Sequence, residues 1–142
     1  MEVELYTRLT ELLVGVNVLS RRGECPDAIS VLAADSRRVV AGGCFVALVG
    51  TNSDGHDYID KAIESGAALI VHQRELARYA DGVAYLQVTD TAEAFGVMAS
   101  NLYGNPSRKL KLVGVTGTNG KTSVATFLYR LVQLMGERAG LI

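Results

Sequence analysis

The sequence has no tryptophan, two prolines, two cysteines and no excess of charge. Each shortage excludes something. Cys25 and Cys44 lie far apart without CxxC spacing, which rules out a disulfide framework or a thiolate metal site and leaves two thiols as filler at a turn and in a strand. A formal net charge of −1 provides no basic footprint for nucleic acid or an anionic membrane. The apolar stretch Val39 to Gly50 is interrupted by glycines and falls well short of the roughly 18 residues a membrane span needs. The opening "MEVELYTRLTELLVG" carries acids where a signal peptide carries lysines, so no export signal is read and a reducing cytoplasm is expected.

What is present is a chain of 142 residues, 49% hydrophobic, long enough to bury a core. Leu5, Leu9, Leu12 and Leu13 recur at helical spacing and predict an amphipathic helix over 3–14. "ISVLAAD" and "GCFVALVG" are short apolar runs bounded by Asp-Ser and glycine, which predicts two strands, with "SRRVVAGG" as the turn region between them. "TNSDGH" is a dense turn signal, followed by a helix with Ile59, Ala62 and Ile63 on one face and Gly66 as its stop. "AALIVHQ" and "VAYLQV" predict two more strands. Alternating strands and helices favour a small α/β unit.

A second module is predicted to begin at "DTAEAFGVMASNLYG", where Asp90 can cap a helix with Glu93 as its capping-box partner. Phe95, Met98, Ala99 and Leu102 form the buried stripe of that helix. "GNPSRK" reads as a linker, and its Arg108 and Lys109, with Lys111, as a solvated strand entry. The expected boundary lies near residue 89, giving domains 1–89 and 90–142.

"KLVGVTGTNGKTSVATFLYRLVQLM" carries the chemistry. A polyphosphate needs convergent donors and close backbone approach; glycines remove the Cβ atoms in the way, and a helix N-terminus adds free amides and a positive dipole end. Gly117 and Gly120 bracket Thr118 and Asn119, Lys121 would reach the β- and γ-phosphates, and the Thr122 hydroxyl would ligand Mg²⁺. The general pattern G-x-x-x-x-G-K-[ST] requires glycine at position 115, where this chain has Val115, so strict spacing fails. A plain strand–turn–helix with an exposed lysine is the competing reading. Upstream, Asp35-Ser36-Arg37 and Thr51-Asn52-Ser53-Asp54-Gly55 flank a hairpin-like pair and are expected to converge at one end of the sheet. Turn amides and a serine hydroxyl there could answer the acceptors and donor of a uracil edge, although such turns are also ordinary loops.

"GVTGTNGKTS", from Gly114 to Ser123, closely resembles the ATP loop of the Mur ligases, the amide-forming enzymes of peptidoglycan precursor synthesis. The succession D-S-R, G-x-x-F-V-A-L-x-G and D-G-H-D-Y resembles the N-terminal uridine-binding domain of two branches of that family, MurE and MurF. "NLYGNPSRKLKLVGVTGTNGKTS" leans to the MurE branch through Asn119. Gly43-Cys44 departs from the pattern, since an acidic residue often precedes the phenylalanine. The resemblance covers nearly the whole chain beyond the first thirty residues. It implies an α/β fold: a small uridine-binding domain followed by the first strand and helix of a P-loop ATPase domain. By position it implies Ala34, Ser36, Thr51, Asn52 and Ser53 as contacts to the UDP portion of the substrate. It likewise implies Gly117, Thr118, Asn119, Gly120, Lys121, Thr122 and Ser123 as the ATP site, with Lys121 catalytic and Thr122 the metal ligand. His56 is expected to be a structural turn residue.

The resemblance further implies ATP and Mg²⁺ as cofactors. The implied reaction adds a diamino acid, meso-diaminopimelate by default or L-lysine, to UDP-N-acetylmuramoyl-L-alanyl-D-glutamate through an acyl phosphate. Against such a family the chain reads as a fragment without ligase activity of its own, self-associating through the apolar face of its last helix, Val124, Leu128, Leu131 and Met135. The alternatives are a MurF-type ligase adding D-Ala-D-Ala and a non-catalytic UDP-sugar-binding module. A GTPase-like switch would need N-K-x-D, which does not occur.

Overall fold

Unbroken apolar runs with turn residues at both ends form strands buried on both faces. The computed structural model describes residues 6–51 and 53–142. In chain order its elements are β1 (Thr7–Arg8), α1 (Leu9–Leu12), β2 (Val18–Arg22), β3 (Ala28–Ile29), β4 (Leu32–Ala33), β5 (Gly43–Val46), α2 (Ile59–Glu64), β6 (Ala67–His72), β7 (Ala84–Val88), α3 (Thr91–Leu102) and α4 (Lys121–Leu134). Short 3₁₀ turns occupy Ser36–Arg38, Gly55–Tyr58 and Pro106–Lys109. The main sheet has the order β2-β7-β6-β5-β4; β4 to β7 run parallel, and β2 is an antiparallel edge strand. The expected α/β class, with a parallel-rich sheet, is what the chain adopts.

Period-two alternation divides each central strand between two layers. Cys44 and Val46 of β5, Leu69 and Val71 of β6, and Ala84, Leu86 and Val88 of β7 face one layer, closed by Leu9 and Leu12 of α1 and Ala94 and Met98 of α3. Phe45, Ile70 and Tyr85 face the other, closed by Ile59 and Ala62 of α2. His72, Tyr79 and Tyr85 stack edge to face on the α2 side, with the Tyr79 and Tyr85 centroids 4.9 Å apart. The Tyr85 hydroxyl accepts from the Ala80 amide at 2.8 Å. On the edge strand the Arg22 guanidinium lies 4.2 Å from the centroid of the Tyr79 ring.

The N-terminal helix is shorter than its leucine spacing predicts. Among the described residues of this segment only Leu9–Leu12 is helical. Thr7 and Arg8 instead pair with Ile29 and Ala28, and the Leu9 amide donates to the Asp27 carbonyl, so cross-strand bonds occupy residues the spacing had assigned to the helix. Leu5 lies outside the described residues. The pair expected to be hairpin-like is parallel, with Leu32 opposite Cys44. β2 has no counterpart among the expected strands.

The cap of α3 matches expectation in part. Asp90 accepts from the Ala92 and Glu93 amides at 2.7 and 3.0 Å, while no bond returns from the Glu93 side chain among the described residues. Asn101 near the end of α3 donates to the Leu12 and Val14 carbonyls at 3.0 and 2.7 Å, tying α3 to the end of α1. These contacts place α3 with the sheet, and the chain divides into two compact units after Pro106, where the sequence had suggested residue 89.

The second unit, Ser107–Ile142, is a glycine loop and α4. The strand predicted before the loop is absent: residues 111–116 have no ladder partner, and Leu112 is 73% exposed. A strand is defined by its neighbour, and among the described residues none is offered. A helix satisfies its own backbone, so α4 forms regardless. Val124, Phe127, Leu131 and Met135 are exposed along it. No helix among the described residues is long and apolar enough to cross a membrane.

Met98→Ala, which empties a fully buried site between α3 and the sheet, is expected to cost about 2–5 kcal/mol. Leu131→Ser on the exposed face of α4 should change stability by no more than about 0.5 kcal/mol. Urea unfolding followed by far-UV circular dichroism checks both. Equal losses would contradict the assignment of α3 to the sheet unit.

Candidate functional site

Parallel strands deliver their carboxyl ends to one edge of a sheet, which is where open α/β folds bind ligands. In this chain the segments arriving there are residues 34–38 after β4, 47–56 after β5, 73–74 after β6 and 89–91 after β7. The two polar turns singled out in the sequence are the first two of these.

After β4, Asp35 accepts from the Arg37 amide at 3.0 Å and caps the short 3₁₀ turn. Its carboxylate also grips the Arg37 guanidinium, Nη2 to Oδ2 at 2.7 Å. These bonds, the side-chain ones foremost, bring the Asp35 carboxyl down to about 2. Ser36 is folded inward, 5% exposed, and Ala34 is half-buried.

After β5 the chain reverses tightly. The Gly50 amide donates to the Ser53 carbonyl at 2.9 Å, Val49 bridges Asp54, and the Gly55 amide donates to the Leu48 carbonyl at 2.7 Å. Thr51 and Ser53 are exposed at its tip; Asn52 lies outside the described residues. Gly55 permits the reversal because a Cβ there would sit 2.6 Å from the Leu48 amide nitrogen and 2.8 Å from the Ala47 carbonyl carbon, both main-chain atoms.

His56 fixes this reversal to the next strand. The Gln73 amide donates to its Nε2 at 3.1 Å. A ring nitrogen that accepts carries no hydrogen, so the proton sits on Nδ1, which donates to Asp54 Oδ1 at 2.6 Å. Asp54 also accepts from the His56 amide and pairs with Arg74. Gln73 continues the chain of bonds: its Oε1 accepts from the Thr91 amide at 2.9 Å and the Thr91 hydroxyl at 2.7 Å, at the start of α3. The expectation of a structural turn histidine fits this geometry. Gln73, Arg74 and Thr91 were given no role by the sequence; they are scattered polar residues at strand ends, and only the parallel topology brings them together.

Burial alone would raise the Asp54 carboxyl, but the His56 amide and ring bonds, with Arg74, outweigh it and hold the group below the usual carboxylate range. Burial pushes the His72 imidazole down from 6.5, partly countered by its Nδ1 bond to the Arg74 carbonyl at 2.7 Å. The Cys44 thiol is fully enclosed and pushed upward by burial, which leaves it unreactive.

In the second unit the loop from Gly117 leads into α4. Gly120 is the residue before the helix at φ 75°, a left-handed backbone that favours glycine, and Gly117 has φ 153°. The first intrahelical bond is from the Val124 amide to the Gly120 carbonyl, so the amides of Lys121, Thr122 and Ser123 precede the helical ladder. Lys121 Nζ bends back to the Gly117 carbonyl at 2.5 Å, which puts the ammonium over the loop. Thr118, Asn119 and Thr122 are exposed. The arrangement suits an anionic phosphate chain. Among the described residues no group of three His, Cys, Asp or Glu could hold a metal ion.

Comparison with known proteins gives three further findings. Residues 28–103 match the family described as "Mur ligase family, catalytic domain". A UDP-N-acetylmuramoyl-L-alanyl-D-glutamate–2,6-diaminopimelate ligase of Bacteroides fragilis is 45% identical over 95% of this chain and 28% of its own length. The enzyme of the same name from Parabacteroides distasonis is 52% identical over 80% of this chain and 24% of its own length. The chain therefore spans about a quarter of the curated relatives it matches. Among solved structures, a UDP-N-acetylmuramoylalanyl-D-glutamyl-2,6-diaminopimelate–D-alanyl-D-alanyl ligase of Acinetobacter baumannii superposes with a TM-score of 0.60 at 22% identity, over 95% of this chain and 30% of that one. That likeness is one of fold.

Gly55→Ala should destabilise the sheet unit by about 2–4 kcal/mol, because main chain must move to admit the methyl group; thermal unfolding measures it. Stability should also follow pH in two windows. With the folded-state value of His72 lowered, the unfolded chain takes up that proton first as pH falls, so its contribution is complete above about 6.5 and is lost progressively below that. Asp54 contributes fully above 3.8 and its share is lost as pH falls through its lowered folded value. Urea midpoints between pH 8 and pH 3 test this, and His72→Gln should shrink the upper step.

Proposed function

Since this chain belongs to the Mur ligase family, whose description matches more than half of its residues, we propose that it carries the UDP-substrate anchor and the ATP phosphate loop of a MurE-type ligase. The reaction is the joining of meso-diaminopimelate to UDP-N-acetylmuramoyl-L-alanyl-D-glutamate in the cytoplasm. The observation that carries this reading is the juxtaposition at one sheet edge of the buried Ser36 turn and the Gly50–Ser53 reversal, in a chain 45% and 52% identical to enzymes named for that chemistry. The diamino acid is favoured over D-Ala-D-Ala because the likeness to the dipeptide-adding enzyme is of fold alone, at 22% identity.

Each residue has a physical task. Ala34, Ser36, Thr51, Asn52 and Ser53 hold the uridine diphosphate end, so binding energy spent far from the reacting carboxylate orients it. Gly117 to Ser123 grip the nucleotide phosphates through free amides, and Lys121 exchanges its bond to the Gly117 carbonyl for phosphate oxygens, neutralising charge that would repel the substrate carboxylate. Mg²⁺, with Thr122 as one ligand, would supply further charge neutralisation on the same phosphates. The domain assignment proposed is 1–89 for the anchor and 90–142 for the start of the ATP-binding part, with α3 packing back on the anchor's sheet.

Because residues 111–116 have no ladder to fix the loop, the chain by itself should bind ATP weakly and form no amide. Isothermal titration with UDP-N-acetylglucosamine is expected to show binding to the unaltered chain, weakened about tenfold by Ser36→Val through loss of one hydrogen bond. Lys121→Ala should remove the residual heat with MgATP. Absence of any UDP-sugar binding would sink the anchor assignment.

A further inference from the structure

The chain of bonds Arg74–Asp54–His56–Gln73–Thr91 links the carboxyl ends of three strands. Its members come from the loop after β5, the end of β6 and the start of α3. Two of these links join the reversal after β5 to the segment after β6: the ion pair of Asp54 with Arg74, and the acceptor Nε2 of His56, which takes the Gln73 amide. The imidazole is enclosed, its side chain 6% exposed, and every polar ring atom is used.

We propose that His56 is a positioning residue for the substrate-anchoring turn: its unprotonated Nε2 locks the reversal after β5 against the end of β6, and adding a proton there releases the turn. The proposal rests on the assignment of that turn to the UDP end of the substrate. The physical reason is that the Gln73 N–H cannot be satisfied by a second N–H. Once Nε2 is protonated, two donors face each other at 3.1 Å, so the bond to the Gln73 amide is lost and the ring is pushed away from it, leaving the Asp54–Arg74 ion pair as the remaining tie. On its other side the ring faces Asp54, which pairs with Arg74. The second histidine, His72, lies close enough for the two rings to influence each other, and burial lowers its imidazole from the ordinary value. Asp57, next in the chain, is exposed.

Two substitutions separate the two ring bonds. In His56→Gln the side-chain carbonyl can stand where Nε2 stood and still accept from Gln73. In His56→Asn the shorter amide can still donate to Asp54 and cannot reach Gln73. With UDP-N-acetylglucosamine as probe, whose diphosphate diester does not titrate near neutrality, binding to the unaltered chain is compared with both variants by isothermal titration. The expected result is about tenfold weaker binding for His56→Asn and recovery to within about threefold for His56→Gln.

An independent readout uses the unaltered chain alone. Ring ¹⁵N shifts should show His56 as the Nδ1–H tautomer, and UDP-N-acetylglucosamine affinity should fall in step with protonation of Nε2, followed at the same ring. That measurement decides the matter even if His56→Asn does not fold. Binding that is equal in the two variants, or affinity unchanged while Nε2 takes up its proton, overturns the proposal. An Nε2–H tautomer in the free chain does so as well. Failure of the unaltered chain to bind the probe at any pH overturns the anchor assignment itself, and the positioning role with it.

Discussion

A parallel strand cannot return to its neighbour by a tight turn. Each connection must cross back over the sheet, and each strand then ends at the same edge as the last. Four consecutive strands of this chain obey that constraint, β4 to β7. It forces both faces of the sheet to be covered, by α1 and α3 on one side and α2 on the other, and so favours apolar residues facing both layers. It also gathers polar residues far apart in sequence, such as Asp54, Gln73 and Thr91, onto one rim. The core and the candidate site are two results of the same geometry.

What could be read directly from the sequence follows the strength of local signals. The inner strands were legible because "GCFVALVG", "AALIVHQ" and "VAYLQV" are predominantly apolar runs set among turn residues. The caps were legible too: Asp90 before α3, and Gly66 after α2 with φ +100°. β2 was not. Its Ser20, Arg21 and Arg22 are exposed, and an edge strand with one partner leaves no apolar run to find. The four leucines near the N-terminus misled because a 3.6-residue spacing says nothing about long-range partners; Ile29 and Asp27 claimed Thr7 and Leu9 for a ladder. Within the site, the two turns were visible as turns, whereas the histidine link between the second of them and the end of β6 depends on pairing across the sheet.

The second unit separates what a segment does alone from what needs company. α4 closes its own hydrogen bonds and exists without a sheet. The glycine loop likewise takes its shape locally, with Gly120 left-handed before the first turn and Lys121 resting on Gly117. Residues 111–116 include Leu112, Val113 and Val115 and still form no strand, since a strand is a relation between two segments. A glycine loop ahead of a helix can therefore be shaped in outline while the segment leading into it is not.

The edge strand β2 has a further consequence for how the protein behaves in a crowded solution. A free sheet margin is an invitation to intermolecular pairing and, eventually, to fibrils. Here one margin presents two consecutive guanidinium groups, one of them anchored on an aromatic ring, and the opposite margin, β4, is only two residues long. Docking a second sheet against either would desolvate fixed positive charge or find almost no ladder to extend. The chain is thereby protected from amyloid-like association along its main sheet.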